Sequence, residues 1–494
     1  MSEASAFAIP HSPSYRLVAL IVASALFMEQ LDGTVLATAL PTMARDFGVD
    51  PLRMSLALTS YLLGLAVFIP TSGRIADRFG ARNVFRAAII IFTVGSVLCG
   101  RAETLGFLVA FRLMQGIGGA MMVPVGRLLL LRSVPRDKMV SAMAWLLVPA
   151  TMGPLLGPPV GGFIVTNLSW RWIFDINVPI GLLGLALATL FIPDVREEGS
   201  NTLDLRGSVI SGAALSCLVL GLEMTGRGLD ARVGIGLLVA AVPLLVLYWF
   251  HARHHPDPVI DLGLLRVPSF AISVASGSLY RVAMGAQPFL LPLMLQIGFG
   301  VSAATSGAIT FVGAAGAMGM RAVAPRALRR WGFRNVLIIN GVIAVLMFAV
   351  EALFRPSWPM PLIYLALLLG GFSAAMQFTA YNTVAFADIP PAKMSAATSF
   401  YATCQQVCLT LGIIAAASSL AASRYFSGHS KLSLGDFSVA FVLVSVVGLL
   451  APLISLRFAP DAGHELSGRQ ASNAASPSRR HGPIPNPSRR QQPR

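Results

Sequence analysis

Long apolar runs separated by short polar stretches cover most of the chain. A run of about 20 apolar residues is long enough to cross a bilayer as a helix. The pattern predicts helices over 16–40, 54–73, 83–101, 104–128, 139–166, 170–192, 207–224, 231–250, 268–297, 302–321, 335–354, 360–386, 393–422 and 436–457. That is fourteen spans, and an even number places both chain ends on one side of the membrane. Residues 1–14 carry one charge, Glu3. The run after them is longer than a signal-peptide core and contains Glu29 and Asp32, so it reads as a retained first span.

Composition sharpens this picture. Of 494 residues, 55% are hydrophobic and only 12% charged. Soluble domains carry about twice that charge, so a soluble protein, a disordered chain and a disulfide scaffold are all excluded. The net charge of +15 comes mostly from arginine, since Lys138, Lys393 and Lys431 are the only lysines. Twenty-six basic residues fall on the side of the termini and nine on the opposite side; Arg112 and Arg281 lie inside spans. Basic loops stay in the cytoplasm, which predicts cytoplasmic termini and a multi-pass cell (inner) membrane protein. Charge scattered between spans does not form a nucleic-acid-binding face, so no nucleic-acid partner is expected. Cys99, Cys217, Cys404 and Cys408 sit in apolar runs without metal spacing and read as buried thiols. His251, His254 and His255 lie in the expected loop 251–267 and read as solvated residues, with metal binding the lesser alternative. No metal or organic cofactor is expected.

Several intramembrane residues carry chemistry. Glu29 and Asp32 are three apart and share a helix face. A charge at mid-membrane costs at least ~2.5–3.5 kcal/mol, and a carboxyl buried there tends to keep a proton until something releases it. Asp32 and Arg112 each lie about eight residues from the outer end of their span, or ~12 Å deep at 1.5 Å per residue. Equal depth makes an Asp32–Arg112 contact possible. In the fifth span Gly153, Gly157 and Gly161 recur every four residues among Pro154, Pro158 and Pro159, with Gly162 following. Such a strip permits close helix approach, and the prolines bend the helix; a hinge or seal is expected.

A faint internal repeat is also present. Gly73-Arg-Ile-Ala-Asp-Arg-Phe-Gly-Ala-Arg82 recurs as Pro325-Arg-Ala-Leu-Arg-Arg-Trp-Gly-Phe-Arg334, 252 residues later. Both copies are expected as short basic loops. Duplicated halves with a central site between them are common in transporters. Arg329 stands in the second copy where Asp77 stands in the first.

These pieces together resemble the major facilitator superfamily. The loop at 73–82 is similar to its G-x-x-x-D-R-x-G-x-R signature. Arg112-Leu-Met-Gln115-Gly116-Ile-Gly118-Gly119-Ala120 resembles its fourth-span motif, and the Gly153–Gly162 segment its antiporter motif. Leu31-Asp32-Gly-Thr34-Val-Leu-Ala-Thr-Ala39-Leu40-Pro41, Trp170-Arg-Trp-Ile-Phe-Asp-Ile-Asn177-Val-Pro179-Ile-Gly181 and Leu291-Pro292-Leu-Met-Leu-Gln296 resemble the fourteen-span drug–proton antiporters.

The resemblance implies an all-α fold of two six-helix bundles with two extra central helices. The expected divisions are a cytoplasmic N-terminus over 1–15, a first bundle over 16–192, an insert over 193–267, a second bundle over 268–457 and a disordered basic tail over 458–494. It implies proton coupling through Asp32, with Arg112 assisting the relay; Glu29, on the same helix face, is expected to help. It also implies an inner gate at Gly73, Asp77, Arg78, Gly80 and Arg82, a fourth-span motif role for Gln115 and Gly116, and a seal between the halves at Gly153–Gly162.

Polar and aromatic residues of later spans are candidates for a substrate cavity: Tyr280, Arg281, Gln296, Gln377, Tyr381, Asn382, Gln405 and Gln406. Interhelical hydrogen bonding is an equal reading for them. Arg281 requires a partner, either an anionic substrate or a protein carboxylate. The expected function is proton-coupled export of small amphipathic compounds; the partners are the small-molecule substrate, protons and the lipid bilayer, and a periplasmic adaptor is left open. An exporter of one metabolite, sugar or organic anion is the alternative, and a non-transporting sensor a remote one. No nucleotide-binding loop or hydrolase motif is present to support an ATP-driven pump or an enzyme.

Overall fold

The computed structural model describes residues 15–134, 138–192, 204–226, 231–460 and 462–463. The expected N-terminus, most of the loop 193–206, Arg136, Arg227 and nearly all of the tail lie outside the described residues. Among the described residues the regular structure is helical throughout. The helices are α1 (Tyr15–Asp46), α2 (Ser55–Phe79), α3 (Ala81–Gly100), α4 (Leu105–Ser133), α5 (Met139–Asn167), α6 (Trp172–Asp175), α7 (Asn177–Phe191), α8 (Leu205–Gly226), α9 (Ala231–His254), α10 (Pro268–Gly285), α11 (Gln287–Leu293), α12 (Ala303–Val350), α13 (Met360–Val384), α14 (Met394–Phe426) and α15 (Leu434–Ser455).

Eleven segments among the described residues are long and apolar enough to cross a membrane. Neither α5 nor the α10–α11 stretch is one of them, and α12 enters as a single segment of 51 residues with the short turn after it. The expected spans 302–321 and 335–354 are therefore joined in one helix of 48 residues, interrupted at Gly332, whose φ of 73° and ψ of 161° are not helical. The expected loop at 73–82 is likewise helical up to Phe79, and only Gly80 (φ 88°, ψ 128°) separates α2 from α3. The repeat thus has a structural counterpart: each copy is a pair of helices joined through one positive-φ glycine. Arg82 donates to the Thr189 carbonyl near the end of α7, and Arg334 donates to the Leu456 carbonyl just past α15 at 3.2 Å. Arg329 donates to its own helix at the Pro325 carbonyl, while Asp77 pairs with Arg132 at 2.8 Å.

Helices α1 to α7 pack mainly on one another, and so do α10 to α15. The two sets meet along α5–α12, α2–α14 and α1–α11. Helix α8 lies against both α2 and α14, and α9 packs chiefly on α8. Leu63 of α2, Val219 of α8 and Ile414 of α14 form a small apolar cluster at that junction.

The two ends of the molecule differ. At the far end, where α1 finishes, one continuous core joins Leu36, Leu40 and Met43 to Phe289, Leu290 and Leu295. At the near end, where α1 starts, residues 18–28 belong to a core built only from α1–α7. The start of α10, the end of α13 and the start of α14 hold a separate cluster with Phe270, Phe400 and Tyr401. Three polar contacts join the two sets at the far end: Arg424–Asp50 at 2.6 Å, Gln296 Nε2 to the Thr38 carbonyl at 3.0 Å, and the Ala304 amide to Thr166 Oγ1 at 2.9 Å; at the near end Arg74 of α2 pairs with Asp257, ahead of α10, at 2.8 Å.

Candidate functional site

The first site forms where α1, α4 and α7 meet. Asp32 is 4% exposed and Arg112 is fully buried. Their side chains touch, Arg112 Nη1 donating to Asp32 Oδ2 at 2.5 Å. Gln115, one turn along α4, accepts from Arg112 at 2.7 Å and donates to Asp32 Oδ1 at 2.9 Å. Asn177 at the start of α7 donates to the same Oδ1 at 3.0 Å and to Ser96 Oγ at 3.0 Å. Arg112 Nε donates to the Ala57 carbonyl at 3.1 Å. Removing one partner from such a pair strands a buried charge at a cost of about 3–5 kcal/mol.

Glu29 sits one turn back on α1 and is also buried. It accepts from Gln30 at 2.8 Å and from the Tyr61 hydroxyl at 3.1 Å. Both donors are neutral. The Arg112 guanidinium lies over the Tyr61 ring, 4.3 Å from its centroid. Tyr61 therefore touches both carboxylate sites. Sequence reasoning passed over Tyr61, which stands in an apolar run with nothing to distinguish it, and did not place Asn177 beside Asp32.

The glycine strip has two faces. Gly153, Gly157 and Gly161 look at Gln30, Thr34 and Thr38 of α1, so they seat α5 inside its own set. The close approach to the other set is made by Gly162 against Ala303 and by Pro158 against Gly307. The contacts between the two sets along α5 are thus made by Pro158 and Gly162 rather than by the Gly153–Gly161 strip; a four-residue spacing cannot say which helix the strip meets. Pro154 lines a cavity between α5, α12 and α13. Gly116 brings α4 against the Tyr61 carbonyl and Gly64 of α2. Gly73 has open space around it, and Arg78 is exposed.

Three of the eight expected substrate residues are spent on packing. Tyr280 is fully buried between the rings of Phe378 and Tyr381. Tyr381 bonds Ser455 at 2.9 Å, and Gln377 donates to the Leu337 carbonyl at 2.9 Å and accepts from Asn340 at 3.0 Å. These three pack α10, α12, α13 and α15 together; Gln377 and Tyr381 find polar partners, whereas the buried Tyr280 hydroxyl has none among the described residues. Gln405 and Gln406 are half-buried on α14. Gln296 lies on a short π-helical turn, Met294–Gly298, and forms part of the far seam under a pocket of about 730 Å³ that also contains Arg45, Asp50 and Arg424.

Arg281 and Asn382 are different. Arg281 is 2% exposed and donates from Nη2 to Asn382 Oδ1 at 2.8 Å and to the Tyr401 hydroxyl at 2.9 Å. Its guanidinium lies 4.6 Å from the Tyr401 ring centroid and 5.6 Å from that of Phe378. Asn382 and Phe378 line the same cavity as Pro154, of about 310 Å³.

Two further buried glutamates were not anticipated. Glu223 on α8 accepts from Ser55 at 3.4 Å and Thr59 at 3.1 Å, tying α8 to α2. Glu351 accepts from Gln287 at 2.7 Å. The histidines are not in a loop: His251 and His254 belong to α9, and His255 follows directly. His251 Nε2 meets Asp204 Oδ1 at 2.8 Å, just before α8. Burial pushes the Asp204 carboxyl up, but the Gly207 amide and the His251 ring outweigh it and hold it below its ordinary value.

Comparison with known proteins agrees with this architecture. The family model of the Major Facilitator Superfamily matches residues 22–413. A Serratia proteamaculans protein named MdtD, for multidrug resistance, is 38% identical over 82% of this chain and 85% of its own length. The Klebsiella pneumoniae protein of the same name is 36% identical over 92% of this chain and 97% of its own. Among solved structures, a POT family transporter in complex with 5-aminolevulinic acid superposes with a TM-score of 0.68 at 15% identity, covering 91% of this chain and 97% of that one. A D-xylose–proton symporter gives 0.65 at 14% identity, covering 90% and 98%. The structural likeness is one of fold. The chain belongs to the major facilitator superfamily: it is a multi-pass membrane transporter of small molecules, not an enzyme.

Proposed function

We propose that this member of the major facilitator superfamily is a drug–proton antiporter of the cell membrane that exports small amphipathic compounds by alternating access. The observation that carries the reading is the Glu29–Tyr61–Arg112–Asp32 chain, two buried carboxylates linked through one tyrosine and one arginine. The names of the relatives support the efflux direction.

Fourteen spans follow if α12 is divided at Gly332 and if α5 and the α10–α11 stretch each cross the membrane beside the segments already counted. Helices α1–α7 and α10–α15 are then the two bundles, with α8 and α9 between them. The excess of basic residues on the near side supports cytoplasmic termini. The joined far end is then extracellular, and the conformation faces inward, where an exporter loads its cargo.

The coupling proceeds from the geometry. Asp32 carries its charge against Arg112 and has both oxygens committed. A proton on Asp32 would remove the ion pair and leave Arg112 with Gln115, the Ala57 carbonyl and the Tyr61 ring. Glu29 meets only neutral donors, so a proton there breaks no ion pair. Proton exchange between the two would pass beside Tyr61, and the change in α1–α4–α7 packing would bear on the far seam through α1 and α5. An exchange of this kind draws on the proton gradient and needs no nucleotide.

The test is proton flux in liposomes with an imposed pH gradient, reading lumenal pH as lipophilic cations, neutral drugs and organic anions are added. Compound-dependent flux in the wild type that is lost in Asp32→Asn and reduced in Glu29→Gln is the expected result. Undiminished flux in Asp32→Asn would remove that residue from the mechanism.

A further inference from the structure

Arg281 is a buried cation without a buried anion. Among the described residues no carboxylate lies within 4.0 Å of its guanidinium, whose bonds go to an amide and a phenol, and whose Nε is buried with no partner. Among the described residues no carboxylate cancels the charge, and its field reaches the neighbouring cavity beside the exposed Asn382. Asn382 stands between the two. Its Oδ1 is taken by Arg281, so its amide N–H groups are left for whatever occupies the cavity. Among the described residues the one charged residue on the cavity wall is Arg321, a second cation, and no carboxylate is part of that wall. The rest is largely apolar, with Pro154 and Leu155 of α5 facing Met318 of α12 and Phe378 of α13.

We infer that this cavity binds a small amphipathic organic anion, its carboxylate or sulfonate held between Asn382 and Arg321 and its apolar body on Phe378 and Leu155. Arg281 is a positioning residue: it orients Asn382 and supplies the positive field without touching the ligand. Because α5 comes from one set of helices and α12 and α13 from the other, the ligand bridges both. A lipophilic cation gains nothing from this wall. The assignment deepens the antiporter reading and rests on it for direction only. Outward movement of an anion with inward movement of a proton carries net positive charge inward on both counts, so an inside-negative potential assists such an exchange.

Binding and flux test the two readings separately. The probes are tritiated 1-naphthaleneacetate and the equally sized cation 1-naphthylmethylammonium, measured by equilibrium dialysis against the full-length protein in neutral-lipid nanodiscs, with empty discs as blank. The wild type is expected to bind the anion at least about tenfold more tightly than the cation. Arg281→Gln should weaken anion binding by about tenfold and Arg281→Lys should restore most of it. Arg321→Gln, at an exposed position that leaves the fold intact, should weaken it by a few-fold and reduce its salt sensitivity. Equal binding of the two probes, absence of saturable anion binding, or anion binding indifferent to both substitutions would each overturn the assignment. Anion binding without anion-dependent proton flux would reject antiport and leave the site standing. Cation-driven proton flux unchanged in Arg281→Gln, with no anion binding, would do the reverse.

Discussion

Arg112 and Arg281 occupy comparable surroundings in the two sets of helices. Each lies in an apolar helix, nearly or wholly buried, with its guanidinium between two aromatic rings: Tyr61 and Phe174 for Arg112, Tyr401 and Phe378 for Arg281. They differ in what accepts their hydrogen bonds. Arg112 has Asp32 at 2.5 Å, while Arg281 has Asn382 at 2.8 Å. One site is electrically closed by its own carboxylate. The other keeps a net charge and can be completed from outside. To the same residue type in similar packing we thus assign coupling in one bundle and recognition in the other.

The largest expected effect tests that difference directly. Arg112→Met strands Asp32 and should lower stability by about 3–5 kcal/mol, while the double variant with Asp32→Asn recovers much of the loss. Arg281→Met strands no carboxylate and should cost clearly less. Thermal unfolding of the purified proteins decides it; equal losses would break the comparison.

A second test concerns what the bundles share. Gly80 and Gly332 hold backbone conformations that side chains resist, so alanine at either should cost about 1–3 kcal/mol. Similar losses in melting temperature would show that the repeat is a common structural device, against which the arginines diverge. A loss at Gly80 alone would dissolve that equivalence.

A third substitution converts one site toward the other. Asn382→Asp gives Arg281 an internal counter-ion. Binding of 1-naphthaleneacetate should fall by about tenfold, or ~1.4 kcal/mol, with no loss of melting temperature. Unchanged binding would mean that the uncompensated charge is not what attracts the anion.

The smallest effect moves the acid chemistry outside the membrane. Asp204 is held below its ordinary value of 3.8, so its contribution to stability is present above that pH and is lost as pH falls through the lower folded value. Asp204→Asn should therefore reduce melting temperature at neutral pH and converge on the wild type in acid, without altering proton-coupled transport. A difference that grows in acid would contradict the sign.

Much of this was legible along the chain. Span positions follow from the length of apolar runs, because a bilayer permits few alternatives to a helix with all its backbone bonds made internally. Asp32 and Arg112 stood out because charge within such a run is costly, and their depth could be counted in residues. The repeat was visible through Gly80 and Gly332 with their basic neighbours, although the chain did not reveal that its flanks are helical. Tyr61 was invisible, since a tyrosine in an apolar run has many possible neighbours. Gln377 and Tyr381 were legible as polar residues but not as ones already satisfied by Asn340, the Leu337 carbonyl and Ser455.

The sequence by itself therefore determined the membrane class, the helical segments, the placement of rare charges and the family, because each depends on local hydrophobicity or on spacing along one helix. Only the tertiary structure decided that Asp32 meets Arg112, that the glycine strip seats α5 on α1, and that no acid among the described residues stands beside Arg281. Those facts depend on which faces of distant helices are brought together. A charge in low dielectric is governed by neighbours within a few ångströms, and for Arg281 the neighbours Asn382 and Tyr401 lie 101 and 120 residues away along the chain.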